Sequence, residues 1–421
     1  MIDANDINRK SWIQYESDSH FPIQNIPFGV FKDDDTKIHI GTIIGNTIIS
    51  LSNLEKLGYL KGSAMKRNTF QSDTLNPFLK QKKHVWREIR NRIANIFDIN
   101  DKTLQNNTTH QASILFGINE VELIMPINIG DYTDFYSSKN HATNVGKMFR
   151  DPQNALLPNW LHIPVGYHGR SSSIVISGTN IKRPNGQIIN KETNTPYFSP
   201  SKLLDFELEV SFITGEGKPL GKTISTDEAE DYIFGLCLFN DWSARDIQKF
   251  EYVPLGPFLG KSFASSISPW IITLDALEPF KIDGEDQIPE VCDYLKFSGP
   301  KNYNINLEVF LQPENEQPTK ISTSNFKYMY WNMCQQLAHH TINGCNIRAG
   351  DLMASGTISG IKETEFGSML ELSWGGTKTI KLNNGEVRKF LLNNDTIILQ
   401  GFAQNKNIKI GFGEVKNKII A

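Results

Sequence analysis

The chain has 421 residues, is 39% hydrophobic and 21% charged, and carries a formal net charge of −3. That length allows two or three domains with a sizeable core, and the near-balanced charge gives no bulk electrostatic case for a nucleic-acid or anionic-membrane partner. Residues 1–10 have no apolar stretch or cleavage site, and no apolar run reaches the length of a membrane span, so neither a signal peptide nor a membrane helix is expected.

Residues 1–120 read as a small unit of their own. Two β-branched runs, 38–44 and 47–51, flank Gly45-Asn46 and predict a tight hairpin. Val85, Ile89, Ile93 and Ile96 recur at helical spacing. A small barrel with helices is expected, in which the isolated His39 and His84 are structural. The polar stretch 100–111 reads as a loop near the boundary.

Residues 121–421 read as a second, strand-rich unit, which makes the chain mainly β with some α. Strands are expected at 121–125, 173–177, 208–214, 233–240, 271–274, 305–311, 369–374, 390–392 and 396–399. Two helices interrupt them, one starting near Asp241 and one over 326–337 with Ser324 as its cap. The four cysteines, Cys237, Cys292, Cys334 and Cys345, lack C-x-x-C spacing and read as buried free thiols in a reducing, cytoplasmic setting. His339-His340 has no account beyond the end of a helix.

Chemistry concentrates in two stretches. Residues 131–150 hold two carboxylates, two tyrosines, a histidine and a terminal arginine, enough for a metal ligand, a base and an anion clamp. In 203–210, strand alternation puts Asp205, Glu207 and Glu209 on one face, where like charges repel unless water or a cation neutralises them. Asp241 either caps a helix or turns toward that face. Oxygen donors without His or Cys imply a hard cation, Ca²⁺ or Mg²⁺, with Arg245, Lys261 and Arg150 as balancing charges. Two motifs fail on spacing. Residues 256–262 have three residues between glycines where a phosphate loop needs four, and the serine of 356–360 is one place late for a nucleophile elbow.

Several blocks of the second unit, in order, carry a resemblance. They include Asp-Tyr-Thr-Asp-Phe-Tyr-Ser-Ser from 131, His-Ala-Thr-Asn-Val-Gly from 141 and Pro-Val-Gly-Tyr-His-Gly-Arg from 164. Asn-Asp-Trp-Ser-Ala-Arg-Asp-Ile-Gln follows from 240, Ala-Ser-Gly-Thr-Ile-Ser-Gly from 354 and Gly-Ser-Met-Leu-Glu-Leu-Ser-Trp from 367. Together they resemble the fumarylacetoacetate hydrolase family, and the first unit also fits in length. The resemblance implies an N-terminal SH3-like barrel, a C-terminal β-rich domain and a homodimer. It implies metal-dependent hydrolysis of a C–C bond in 4-fumarylacetoacetate, the last step of tyrosine and phenylalanine breakdown.

The resemblance also assigns residues. Ca²⁺ would be held by Asp134, Glu207, Glu209 and Asp241, leaving Asp205 out. Mg²⁺ would lie near Asp241, Lys261 and Ser265, although Phe263-Ala264-Ser265 stands where the family often has Phe-Gly-Thr. Tyr136, Arg150, Tyr167, Gln248, Tyr252 and Thr357 would contact substrate. His141 is the expected base, its ordinary pKa lying near neutrality, with Glu371 as its partner. Arg245, Gln248 and Lys261 would stabilise developing negative charge. The alternatives are an acylpyruvate hydrolase or 2-oxo-acid decarboxylase of the same superfamily, or a non-catalytic cation-binding relative. Residues 1–120, with Tyr136, Arg150 and Tyr252, argue against the sibling enzymes. The presence of His141, Glu371 and Lys261 argues against a dead relative.

Overall fold

The architecture is that of a computed structural model describing residues 2–421. Gly45, with φ at +60°, lets Ile38–Ile44 turn back into Thr47–Ser50 across the expected two-residue turn. These strands are part of a five-stranded antiparallel sheet ordered Leu115–Gly117, Thr47–Ser50, Ile38–Ile44, Gly29–Lys32, Glu122–Ile124. The helix Lys83–Ile96 buries Val85, Ile89 and Ile93 in the same core as Ile40 and Ile49. His39 is structural, held by Ser50 and Asp33 at 2.9 Å each.

One expectation fails at the boundary. The strand Glu122–Ile124 pairs with Gly29–Lys32 instead of opening the second unit. The stretch 100–111 is also not all loop, because a helix, Thr108–Ile114, starts within it.

The second unit is built on an eight-stranded mixed sheet. Its path runs Gly166–His168, Tyr132–Phe135, Leu352–Ala354, Leu208–Thr214, Ile233–Asp241, Ser265–Ile267, Ile174–Ile176, with Ile272–Thr273 also paired to Ile233–Asp241. The central strands Leu208–Thr214 and Ile233–Asp241 are buried along their whole length. A five-stranded sheet around Asn306–Gln312 and Thr396–Gln404 shares a hydrophobic core with the first, joining Leu307 and Leu399 to Leu236 and Leu238.

Local corrections follow from side-chain chemistry. Asp241 ends a strand, and the next helix is Arg245–Glu251. The segment 326–337 divides into a turn, Phe326–Tyr328, and a helix, Met333–Thr341, capped by Asn332 and not by Ser324, which lies in a strand. Residues 369–374 are not a strand. Met369–Leu372 is a short helix, because Ser368 caps it by accepting the Glu371 N–H. No strand forms at 390–392, where Leu391 makes an isolated bridge. All four cysteines are free, but only Cys237 and Cys334 are buried; Cys292 is exposed and Cys345 partly so. His339 bonds Tyr294 Oη at 3.0 Å and His340 bonds Thr133 Oγ1 at 3.0 Å, which gives the pair a packing role. Among the described residues, no helix is long and apolar enough to cross a membrane.

Candidate active site

The eight-stranded sheet gathers carboxylates from three of its strands. Asp134 lies on Tyr132–Phe135, Glu209 on Leu208–Thr214, and Asp241 closes Ile233–Asp241. Register sets Asp134 opposite Tyr167 and Asp241 opposite Ser265. With Glu207 these groups can each offer an oxygen, all within 4.8 Å of one another, and all four residues are buried.

Asp205 does not join them. The continuous strand that alternation suggested is interrupted, since Leu204–Asp205 pairs with Ser243–Ala244 and a separate strand starts at Leu208. Asp205 turns instead to Arg245, whose Nε donates to it at 2.8 Å. Nor is this acidic face solvated, for Asp205, Glu207 and Glu209 are all buried.

Cationic side chains cover one side of the cluster only. Lys261 Nζ donates to Asp241 Oδ2 at 2.6 Å and to Glu207 Oε2. Arg245 Nη2 pairs with Glu207 Oε1 at 2.7 Å. Ser265 Oγ donates to Asp241 Oδ1 at 2.9 Å, and Tyr167 Oη to Asp241 Oδ2 at 3.2 Å. Burial works to raise the Glu207 pKa, but Lys261 and Arg245 outweigh it and hold that carboxyl well below its usual range. Burial likewise disfavours the Lys261 ammonium, and Asp241 and Glu207 more than restore it.

Asp134 and Glu209 are treated otherwise. Burial, then the neighbouring carboxylates, pushes both well above the ordinary carboxylate range. Asp134 Oδ1 and Glu209 Oε1 are buried with no hydrogen-bond partner. Buried polar atoms are almost always partnered, so an exception at a convergence of oxygens needs explaining. An all-oxygen donor set with unpartnered lone pairs fits a hard dication. Glu209 Oε2 is fixed by the Gly356 N–H at 3.0 Å. Gly356 has φ at +76°, and a Cβ there would lie 2.1 Å from Phe135 O, so only glycine brings that N–H so close.

A second assembly is built around Glu371. Ser138 caps the helix Lys139–Phe149 and so orients its first turn, where His141 lies buried. His141 Nδ1 meets Glu371 Oε2 at 2.7 Å. The carboxylate also accepts from Asn144 Nδ2 at 2.9 Å, Ser359 Oγ at 2.8 Å and Ser368 Oγ at 3.0 Å. Burial would raise the Glu371 pKa, but His141 and these donors outweigh it and keep the group ionised. An ionised partner at Nδ1 places the imidazole proton there and leaves Nε2 as the acceptor. The geometry can therefore take a proton from a nearby water and stabilise the resulting imidazolium.

The remaining expected residues differ in depth. The Tyr136 ring meets His141 edge-on at 5.3 Å between centroids. Gln248 Oε1 accepts from Arg245 Nη1 at 3.4 Å, and Thr357 is buried in the loop after Leu352–Ala354. Arg150 is exposed, with its guanidinium turned back onto Ala155 O at 3.1 and 2.7 Å. Tyr252 stands half out of the surface at the end of Arg245–Glu251.

Asn144, Ser359 and Ser368 were not singled out in the sequence. Two of them left signals. Ser368-x-x-Glu371 is a Ser-x-x-Glu cap pattern, and Asn144 follows His141 at helical spacing. Ser359 was visible only within the block from 354 and as a nucleophile elbow out of register.

Comparison with known proteins identifies the family. Residues 131–420 match the family described as Fumarylacetoacetate (FAA) hydrolase C-terminal, and residues 24–126 match Fumarylacetoacetase N-terminal. Fumarylacetoacetase of Dictyostelium discoideum is 50% identical over 417 residues, covering 98% of each chain. That of Homo sapiens is 49% identical over 412 residues, covering 97% of this chain and 98% of its own. Among solved structures, a fumarylacetoacetate hydrolase from psychrophilic Exiguobacterium antarcticum aligns with a TM-score of 0.52 at 17% identity, over 94% of this chain and 99% of that one, a likeness of fold. The chain belongs to the fumarylacetoacetate hydrolase family, in the two-domain form that carries the fumarylacetoacetase N-terminal region.

Proposed function

We propose that the chain hydrolyses 4-fumarylacetoacetate to fumarate and acetoacetate; the relatives it matches carry the name Fumarylacetoacetase. The observation that carries the mechanism is the 2.7 Å contact between His141 Nδ1 and the fully partnered Glu371. His141 Nε2 takes a proton from water, whose oxygen forms a bond to the carbonyl carbon on the fumaryl side. Glu371 stabilises the imidazolium and holds its tautomer. The C–C bond to the acetoacetate carbon then breaks, and the proton held by His141 balances the one that carbon must gain.

The hard step is the carbanion leaving group, so donors aimed at developing negative charge matter most. Lys261, Arg245 and Gln248 are the donors we assign there. A hard dication would supply further positive charge to the two oxygens of the β-diketone. Asp134, Glu207, Glu209 and Asp241 would hold it, and we assign Ca²⁺. Asp241 and Ser265 offer oxygens for a Mg²⁺ nearby. Lys261, held protonated, lends that region charge and not a side-chain lone pair. Arg150, Tyr136, Tyr167, Tyr252 and Thr357 are assigned to the substrate's terminal carboxylates and carbonyls.

Two further readings have support of their own. Val253, Leu255 and Phe258 are 66%, 97% and 69% exposed on the loop that follows Arg245–Glu251, and a second copy of the chain is the cover we assign to this apolar loop in a homodimer. Four free thiols and no disulfide fit a cytoplasmic setting.

The test is product analysis by proton NMR after adding fumarylacetoacetate to the purified chain. Equal amounts of fumarate and acetoacetate are expected. An unchanged diketone, with turnover of a simple acylpyruvate instead, would reassign the chain to a sibling activity.

A further inference from the structure

Asp205 is the carboxylate of the acidic stretch that the cation cluster leaves out. It is wholly buried. Its partners come from two directions. Arg245 Nε donates to Oδ2 at 2.8 Å. The backbone N–H of Met369 donates to Oδ1 at 2.7 Å, and that of Leu370 to Oδ2 at 3.1 Å.

Met369 and Leu370 are the first two residues of the short helix whose third residue is Glu371. A helix leaves its first N–H groups without internal partners. Asp205 takes two of them and Ser368 Oγ accepts a third, from Glu371, at 3.2 Å. On its other side Asp205 fixes Arg245, which pairs with Glu207, which pairs with Lys261. One side chain thus stands between the cationic wall of the carboxylate cluster and the turn that presents Glu371 to His141. A buried carboxylate needs only one counter-charge, and Arg245 supplies it. The two backbone bonds to this particular turn are additional, and they give the residue its second use.

We propose that Asp205 is a positioning residue that holds Arg245 and the Glu371 turn in one frame, fixing the guanidinium relative to His141. The kinetic consequence rests on the fumarylacetoacetate reading, whereas the geometric consequence does not. Asparagine at this position keeps the size and one acceptor oxygen. It loses the charge and presents an NH₂ where a donor already points, so it cannot serve both sides.

The experiment is Asp205→Asn in the full chain. It is followed by kcat and KM on fumarylacetoacetate and by the ¹⁵N resonances of the His141 ring, assigned through their loss in His141→Ala. The expected result is a fall in kcat of about 100-fold, the scale of a small misplacement of catalytic groups, with moved His141 resonances. In a Glu371→Gln background the same substitution should cost at least about 5-fold less, because the route through Glu371 is already broken. A kcat within about 3-fold of the parent with unmoved resonances overturns the proposal, as does a loss that multiplies in full with Glu371→Gln. A parent chain without activity on the diketone would sink the proposed function, while the resonance comparison would still decide Asp205. Should Asp205→Asn not fold, Arg245→Lys takes its place, since it keeps the charge and removes the Nε–H. It is expected to move the His141 resonances, and unmoved resonances overturn the proposal.

Discussion

Glu371 and the Asp134–Glu209 pair are all buried carboxylates, but their oxygens are furnished differently. Glu371 receives His141, Asn144, Ser359 and Ser368, and its pKa falls although burial works to raise it. Asp134 and Glu209 each keep an oxygen without a partner, and their pKa values rise well above the ordinary range. Burial is common to both regions, so the neighbours make the difference: His141 and neutral donors surround Glu371, whereas like-charged carboxylates crowd Asp134 and Glu209. A carboxylate supplied with donors is a finished part that orients something else. A carboxylate cluster left short of donors has the make-up of a receptacle, which the proposed function fills with positive charge from outside. Lys261 and Arg245 complete Glu207 from within the chain, which leaves Asp134 and Glu209 as the side without an ion-pair partner among the described residues.

The largest effect is expected at the finished region. His141→Ala should lower kcat by at least about 1000-fold, since it removes the acceptor nitrogen altogether. Calorimetry should find Ca²⁺ affinity within about 3-fold of the parent. Half the parental kcat in this variant would place the base elsewhere.

Asp134→Ala should weaken Ca²⁺ binding by about 100-fold or more, at least the loss seen for residues that only support a ligand. The receptacle also predicts a pH dependence. Asp134 and Glu209 favour their protonated forms when no cation balances them, so cation binding must expel protons, and affinity must drop as pH falls. Titrations in two buffers of different ionisation enthalpy should give different apparent heats. Identical heats would mean that these groups were already ionised.

Asn144→Ala removes one donor from Glu371 and leaves the others. A cost of about 1–2 kcal/mol, or roughly 10-fold in kcat, is expected, with little change in KM. An equal loss in cation affinity would show that the two regions are not separable in this way.

The smallest effect concerns a half-buried group of a third kind. His340 has neither a counter-ion nor a full donor set, its Nδ1 being buried and unpartnered. Burial, then His168, lowers its pKa to about 4. An unfolded chain takes up the proton near pH 6.5, so the stability His340 contributes is present above that value and is lost as pH falls toward 4. His340→Gln should narrow the drop in Tm between pH 7 and pH 5. A drop as large as the parent's would assign the acid sensitivity to other groups.

Much of the receptacle was legible in the sequence, because short-range alternation and the block around Asp241 brought Glu207, Glu209 and Asp241 to notice. The exclusion of Asp205 was not legible from alternation. It depends on a strand interruption between residues 205 and 208, which periodicity cannot show. Leu370-Glu371-Leu372 alternates as a strand would, yet the Ser368 cap makes it a helical turn. The donors of Glu371 come from three separate segments, with His141 230 positions away, so their convergence is a tertiary fact. The strand Glu122–Ile124 joined the first sheet for a similar reason, since strand pairing is not written in a strand's own composition.

The central claim is that a cation completes the carboxylate cluster while the His141–Glu371 pair stands ready without one. It is tested most directly by stripping the purified chain with chelator and following the ultraviolet absorbance of fumarylacetoacetate as Ca²⁺ is added back. Turnover should be lost on stripping and return along a saturable curve, with the His141 ring resonances unchanged throughout. Full turnover by the stripped chain would contradict the account.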